Sequence, residues 1–330
     1  MIVLNYNGAH LLPDCLQSLL AQDHPSFEVL VVDSASVDES FRVVQRHPPA
    51  RWISLTANQG LGPGYNAGAR EAQGKKLFFV NNDTRFKPDC VRQLAGAFRG
   101  GDILAADPIQ MDWAGTRVIH GAQRFRCGWR YLLRPIPFLE PYQDISCSEE
   151  TEVPWGGAGA LMFERKKFES LGGFDPSFFT DYEDLDICWR GWLRGWKTIL
   201  VPTARLYHRV GETVDEKLWR SNPAVRQHRP PAVNSRRQRS QHKNAQRFVL
   251  KTMPWPIAFT AAATFLLKVA GHLFRCHGKM AQLYAGAMWL NIGELPEILK
   301  ERRRILAQAV TTSRILLRRW GSCPAKRKRG

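Results

Sequence analysis

The sequence predicts an α/β protein, a mostly parallel sheet flanked by helices, and three observations carry that prediction. Short apolar runs alternate with segments of helical period along the first two hundred residues, as in a parallel sheet with helical crossovers. The runs are apolar throughout, as in Leu77-Phe78-Phe79-Val80, so both faces of each strand should be covered. Polar residues follow the carboxyl ends of the runs, where open α/β sheets bind ligands. The principal one is Asn81-Asn82-Asp83-Thr84. Its acid is able to hold a divalent cation beside a diphosphate. The same residue types also make ordinary turns.

Taken in order, Met1–Leu4 reads as a first strand, short for a central one, so the true start is expected upstream. Asn5-Tyr6-Asn7-Gly8 is its exit turn. Leu11, Leu12, Cys15, Leu16, Leu19 and Leu20 mark one face of a helix. A second strand at Phe27–Val32 ends in Asp33-Ser34-Ala35-Ser36. A short helix around Glu39–Gln45 leads to a third strand, Trp52–Leu55. Glycines 60, 62, 64 and 68 open the next helix, which runs to about Gln73. They permit close backbone approach, and the N–H groups there favour phosphate. Their spacing is not a dinucleotide fingerprint, and a plain turn with tight helix packing fits equally.

After the Leu77–Val80 strand come a helix from Pro88 to about Phe98 and a strand near Ile103–Ala106. Residues 108–150 show no period and suggest a long excursion over the ligand edge. Val153–Phe163 is a glycine-rich bend entering a strand. Gly172-Gly173-Phe174-Asp175 precedes the densest acid cluster, Asp181, Glu183, Asp184 and Asp186, at the head of another helix. Trp196–Val201 and Ala204–His208 are the last extended pieces.

The charge is asymmetric. Residues 1–216 hold 23 Lys+Arg against 27 Asp+Glu, whereas residues 217–330 hold 24 against 3. Such a tail seeks polyanions, either anionic lipid or nucleic acid. No nucleic-acid reader motif is present, so an anionic membrane surface is the expected partner and nucleic acid is not. The organisation expected is a catalytic domain over 1–212, a basic linker or mobile loop over 213–250, and a basic helical region over 251–330. Within the last, 252–267 is uncharged and either lies in the membrane interface or packs on the body. A basic helix follows at Lys300–Arg319. Seven scattered cysteines without a C-x-x-C pair point to a reducing compartment, and no signal peptide precedes the first strand.

In shared order and spacing, these pieces resemble family 2 glycosyltransferases of the GT-A nucleotide-sugar fold. The carriers are Leu-Asn-Tyr-Asn-Gly at 4–8, Val-Val-Asp-Ser-Ala-Ser at 31–36, the Asn58–Gly68 loop and Asn-Asn-Asp-Thr at 81–84. Gly-Gly-Phe-Asp at 172–175, Tyr-x-Glu-Asp-x-Asp at 182–186 and Tyr-His at 207–208 complete them. Non-processive, rhamnosyltransferase-like enzymes of bacterial polysaccharide assembly look most similar. The resemblance implies an inverting, metal-dependent sugar transfer from a nucleotide-diphosphate donor, dTDP- or UDP-linked, to a glycan or lipid-linked acceptor. It implies a peripheral place on the cytoplasmic face of the inner membrane.

It also implies roles for particular residues. Asn5, Tyr6, Asn7, Asp33, Asn58, Gly60, Asn66, Asn82 and Asp83 would bind the nucleotide sugar, and Asp83 with His208 the Mg²⁺ or Mn²⁺ ion. Asn81 stands where relatives carry a first acid. Asp184 would be the catalytic base and Glu183 would orient the acceptor or the loop. Asp186 would cap or support the helix. Trp155, Gly156 and Gly157 would form an acceptor platform, although Trp155 could equally be core.

Overall fold

The computed structural model describes residues 1–322 apart from 129–131, 133, 135, 137–138, 158 and 210–232. Its main sheet runs β10-β12-β6-β11-β4-β1-β2-β3. The parallel half is β1 (Ile2–Asn5), β2 (Leu30–Asp33), β3 (Arg51–Ser54) and β4 (Lys76–Asn81). Beside it β11 (Ala160–Glu164) runs antiparallel to both β4 and β6 (Ile103–Asp112). β12 (Lys197–His208) is parallel to β6, and its far end pairs with β5 (Thr84–Phe86). β10 (Thr151–Val153) closes that edge and β7 (Val118–His120) pairs with β6.

The apolar runs have the physical basis expected of them. Successive residues of a strand point to opposite faces. Ile2, Leu30, Val32, Leu77 and Phe79 enter one buried cluster, while Val3, Val31, Phe78 and Val80 enter another. Helix α1 (Leu12–Leu20) buries Leu12, Cys15, Leu16 and Leu19 on the second face. The short helices α2 (Ser40–Gln45) and α4 (Cys90–Gly96) bury Val44 and Cys90, Val91 and Leu94 there. On the first face α3 (Leu61–Glu71) lies close to β1, because Cβ atoms at Gly64 and Gly68 would strike Leu4 and Ile2. α5 (Arg165–Ser170) and α6 (Glu183–Leu193) complete the catalytic half.

Several boundaries differ from the sequence reading. The strand at Ile103 continues to Asp112, and the two last extended pieces are one strand joined through a register shift between Val201 and Arg205. Within 108–150, β8 (Ala122–Cys127) and β9 (Leu139–Asp144) form a small sheet with β13 (Gly321–Ser322). Residues 213–232 of the expected linker lie outside the described residues. From Val233 that linker is helix α7 (Val233–Thr252), which buries Ala245, Phe248 and Val249. Polar composition hid it, since much of what it buries is polar or charged: Asn244, Gln246, Arg247, Lys251 and Thr252. α8 (Trp255–Phe274), α9 (Gly278–Gly293), α10 (Leu295–Ala307) and α11 (Ser313–Trp320) follow. The expected single helix at 300–319 is therefore two. The run Lys326–Arg329 lies outside the described residues.

The helical tail is fastened to the catalytic half by shared core and by charge. Phe248, Val249, Met253, Ile305, Leu316 and Trp320 join the same cluster as the sheet residues. Beneath them Lys251 Nζ meets Asp175 at 2.6 Å, Asp186 at 3.0 Å and Glu301 at 3.4 Å. Arg247 reaches Asp175 at 3.0 Å, Glu294 at 2.6 Å and Glu301 at 3.3 Å, and Arg190 holds Asp186 at 2.7 Å. Burial alone would raise Asp175, but the charges of Lys251 and Arg247 outweigh it and hold this carboxyl far below its usual range.

Candidate active site

The site lies at the carboxyl ends of β1, β2 and β4, where the chain leaves the sheet. Asn5 Nδ2 donates to Asp33 Oδ1 at 2.8 Å, and Asn82 Nδ2 donates to Asn5 Oδ1 at 2.7 Å. The backbone N–H of Ser36 donates to Asp33 Oδ2 at 2.8 Å, and Ser36 Oγ accepts from Asn7 N at 2.7 Å. Asn7 Oδ1 in turn accepts from Val37 N at 2.9 Å. The three strand exits are thus tied together, with Asn5, Asp33 and Asn82 buried and Tyr6 and Asn7 partly exposed. Gly8 closes the group, since a Cβ there would collide with Asn82 Nδ2 and Asn5 Oδ1.

Beside this cradle, Asp83 Oδ1 lies 3.0 Å from His208 Nε2, because β5 brings Thr84 into register with His208 on β12. His208 Nδ1 is 2.7 Å from Gln110 Oε1. With Nδ1 engaged by Gln110, Nε2 is the ring nitrogen that faces the carboxylate oxygen. At that distance the two atoms either share a proton or, with Nε2 unprotonated, offer two ligands to a cation. No group of three or more His, Cys, Asp or Glu among the described residues could hold a metal. Two protein ligands plus phosphate oxygens and water make a common Mg²⁺ arrangement, so the residues present fit a cation completed by a diphosphate.

Asn81 has its own explanation. Its Oδ1 accepts the Tyr65 hydroxyl at 2.8 Å. Burial first, then the charges of Glu183 and Asp83, push Tyr65 well above its ordinary pKa, so it remains a donor. A neutral amide at this position avoids a further buried charge near Asp83 and Glu183.

The acid cluster separates by burial. Asp186 is fully buried in the Lys251–Arg190 network and supports the helix instead of facing the site. Glu183 is 3% exposed. Burial, then repulsion from Asp184 and Asp181, raises its pKa well above 4.5 and favours its protonated form. Asp181 and Asp184 are partly exposed; Asp181 is engaged by Arg237, and Asp184 Oδ1 accepts from Leu185 N at 2.7 Å. The backbone leading to it is unusual: Asp181 and Tyr182 have φ of 68° and 74°, as Asn7 and Ala35 have 49° and 62° across the site. Such left-handed residues are held only where the surroundings over-determine them. Here α7 does so, with Asn244 Nδ2 donating to the carbonyls of Thr180 at 2.9 Å and Asp181 at 2.8 Å, and Arg237 gripping the Asp181 carboxylate at 3.1 and 3.2 Å.

Other expected ligands have different tasks. Gly60, at φ 98°, lets the backbone of Phe179 approach, and Leu61 N donates to the Phe179 carbonyl at 2.8 Å. Asn58 Oδ1 accepts from Gly60 N at 3.1 Å. Asn66 forms two hydrogen bonds with the backbone of Phe174, at 2.8 and 3.0 Å. The N-terminus of α3 therefore receives the chain itself and not a phosphate, and Gly60 and Asn66 hold the 174–184 loop. Trp155 is 8% exposed, with its ring 4.7 Å from that of Phe125, so it is core and not an acceptor platform. Gly156 and Gly157 do flank the site, for a reason the sequence reading missed. Asp107 and His120 pair behind them at 2.7 Å, and Gly157 N donates to Asp107 Oδ1 at 3.2 Å. Burial raises Asp107 against the opposing pull of His120. Burial disfavours the His120 cation, but Asp107 and Asp184 outweigh it and raise its pKa. The antiparallel pairing of Gln110 with His120 is the link between the Asp83–His208 pair and the Asp184 side. Tyr65 lies within α3 and Asp107 and Gln110 within β6, where local pattern gives them no chemistry; contacts with Asn81, Gly157 and His208 bring them to the site.

An acid–histidine pair, a partly exposed carboxylate and a strand-exit cradle thus meet at the ligand edge of a GT-A fold. A family model described as Glycosyl transferase family 2 matches residues 1–171, and the chain belongs to that family. The N-acetylglucosaminyl-diphospho-decaprenol L-rhamnosyltransferase of Mycobacterium tuberculosis is 28% identical over 232 residues, 63% of this chain and 75% of that protein. An uncharacterized glycosyltransferase of Nostoc is 33% identical over 108 residues, 32% of this chain. The match spans only 34% of the length of that relative. Among solved structures, the mannosyltransferase PcManGT of Pyrobaculum calidifontis, in complex with GDP-Man and Mn²⁺, aligns with TM-score 0.50 and 20% identity over 88% of this chain and 86% of that one. GalNAc-T7 with UDP, GalNAc and Mn²⁺ aligns with TM-score 0.52 and 16% identity over 75% and 55%. At these identities the structures establish the fold alone.

Proposed function

We propose that the protein is an inverting, non-processive glycosyltransferase that moves a sugar from a nucleotide-diphosphate donor to a hydroxyl of a glycan or lipid-linked acceptor in bacterial cell-surface glycan synthesis. Rhamnose from dTDP is the first donor to test, on the likeness to the mycobacterial rhamnosyltransferase, with UDP-sugars next. The observation that carries the reading is the division of the acids. Asp83 pairs with His208, Glu183 and Asp186 are buried, and Asp184 is the half-exposed carboxylate of the α6 head.

In this reading Asn5, Tyr6, Asn7, Asp33, Asn58 and Asn82 shape the nucleotide end. Asp83 and His208 would hold Mg²⁺ or Mn²⁺, which would offset the charge of the departing diphosphate. Asp184 removes the acceptor proton as that oxygen attacks the anomeric carbon from the face opposite the nucleotide. One displacement inverts the configuration. Asp107 and His120 fix the Gly156–Gly157 bend on the acceptor side.

Turnover over a panel of nucleotide sugars, with Mg²⁺, Mn²⁺ or chelator, tests it. Metal-dependent use of one donor, abolished in Asp83→Ala, is the expected result. Turnover that survives both chelator and Asp83→Ala would remove the metal from the mechanism, and binding of no donor would sink the reading. Gly8→Ala gives a finer test. Its methyl group displaces Asn82 and Asn5, and misplacing a positioned group by about 1 Å can cost ~100-fold in rate. Donor affinity by calorimetry should fall at least about tenfold on the same grounds. Unchanged affinity would take the strand-exit cradle out of the donor site.

A further inference from the structure

Helix α8 has two unlike sides. Ala258, Ala261, Thr264 and Phe265 are buried against the neighbouring helices, a stripe at helical spacing. The opposite side carries Trp255, Phe259, Leu266, Leu267, Leu273 and Phe274, all exposed, with alanines between them. Phe259 is 68% exposed and Phe274 91%. On α9 the exposed Trp289 (74%), Leu290 and Ile292 extend the apolar surface. A water-facing helix places charged residues on this side, and contiguous apolar surface of this kind marks an interaction site.

The charge around it has one sign. From Trp255 to Gly293 the chain contains no Asp or Glu, but it contains Lys268, Arg275 and Lys279. The partner that fits is apolar beneath and anionic at its rim. α8 is long and apolar enough to cross a bilayer by length and composition. One stripe is nevertheless committed to the body, and Arg302 and Trp255 stack at its start at 4.3 Å. A helix fastened to the body along one stripe fits a position along a membrane surface.

We infer that the outer face of α8 and the end of α9 dock the protein on a membrane bearing anionic headgroups, with the exposed aromatic and aliphatic side chains in the acyl boundary and the exposed Arg275 and Lys279 among the headgroups. This inference is independent of the donor and of the reaction, and it would keep the enzyme beside a lipid-linked acceptor on the cytoplasmic face.

The test is co-sedimentation of the full chain with vesicles of phosphatidylcholine, alone or mixed with phosphatidylglycerol. Wild type should bind the mixed vesicles roughly tenfold better or more, with the difference shrinking in high salt. Phe259→Glu with Leu266→Glu, at exposed positions, should lower binding roughly tenfold while circular dichroism and thermal unfolding stay as in wild type. Arg275→Gln with Lys279→Gln should weaken only the preference for anionic lipid. Wild type left in solution with both vesicle types overturns the inference, as does full binding by Phe259→Glu with Leu266→Glu. So does a concentration-dependent dimer in sedimentation velocity that the same pair abolishes, which would make this face a contact between two copies. Donor turnover is measured separately, so failure here leaves the transferase reading standing.

Discussion

Asp184→Asn is expected to lower turnover by roughly 10²–10⁴-fold, the range that a positioned general base contributes. Donor affinity should be unchanged. Asparagine keeps the size of the side chain and an oxygen for the Leu185 N–H, so the head of α6 stays formed. Glu183→Gln is the matched control. Burial and its acidic neighbours already favour the protonated form of Glu183. An amide of the same shape should leave turnover within about threefold of wild type. The two variants also part in pH dependence. Folded Glu183 holds its proton above the ordinary value of 4.5, so the folded state binds more protons there than the unfolded one. Stability from this group is complete below 4.5 and falls as pH rises through its folded pKa. Glu183→Gln should flatten that alkaline fall in a denaturation series. If it loses turnover as Asp184→Asn does, the base is Glu183 and the assignment is wrong.

The largest effect on stability is expected at Lys251→Ala. The ammonium is buried among Asp175, Asp186 and Glu301, and its removal leaves these carboxylates with only Arg247 and Arg190. Breaking a buried charge pair costs about 3–5 kcal/mol, because the remaining charge stays out of water. Urea denaturation measures it. The acid side carries a second signature. Asp175 is depressed, so its contribution is present above the ordinary carboxyl value of 3.8 and is lost as pH falls below it. Without Lys251 that acid-dependent loss should shrink. An unfolding free energy within about 1 kcal/mol of wild type, an ordinary surface effect, would mean that the tail is not fastened through this cluster. Because Asp175 and Asp186 lie on either side of the 177–184 loop, loss of the network should also loosen the backbone that presents Asp184.

The parts of the site that could be read in the chain are those whose chemistry is local. A wholly apolar run ending in Asn-Asn-Asp-Thr needs only its own pattern to be recognised as a buried strand with a ligand-facing turn. The acids at 183–186 could be placed at a helix head for the same reason. Their division of labour could not be read, since it depends on what covers each one. Glu183 and Asp186 are buried by α7 and the Lys251 cluster, while Asp184 is left partly open. Trp155 was ambiguous between platform and core until Phe125, from an irregular stretch, was seen against it. Gly60 and Asn66 looked like phosphate-loop residues. Their partners, Phe179 and Phe174, stand more than a hundred residues further along the chain, beyond any local pattern.

By itself, then, the sequence determined the layered α/β architecture, the family resemblance, the residues Asp83, Asp184 and His208 as candidates, and a basic, partly apolar tail. Only the tertiary structure decided that Asp83 faces His208, that Asp107 and His120 back the glycine bend, and that the tail's first helix clamps the loop carrying Asp184. The physical reason is the range of the forces involved. Hydrophobic period and turn preference act over a few neighbouring residues and are written along the chain. Burial, which sets the protonation of Glu183 and the cost of an unpaired Lys251, depends on atoms brought together from distant segments.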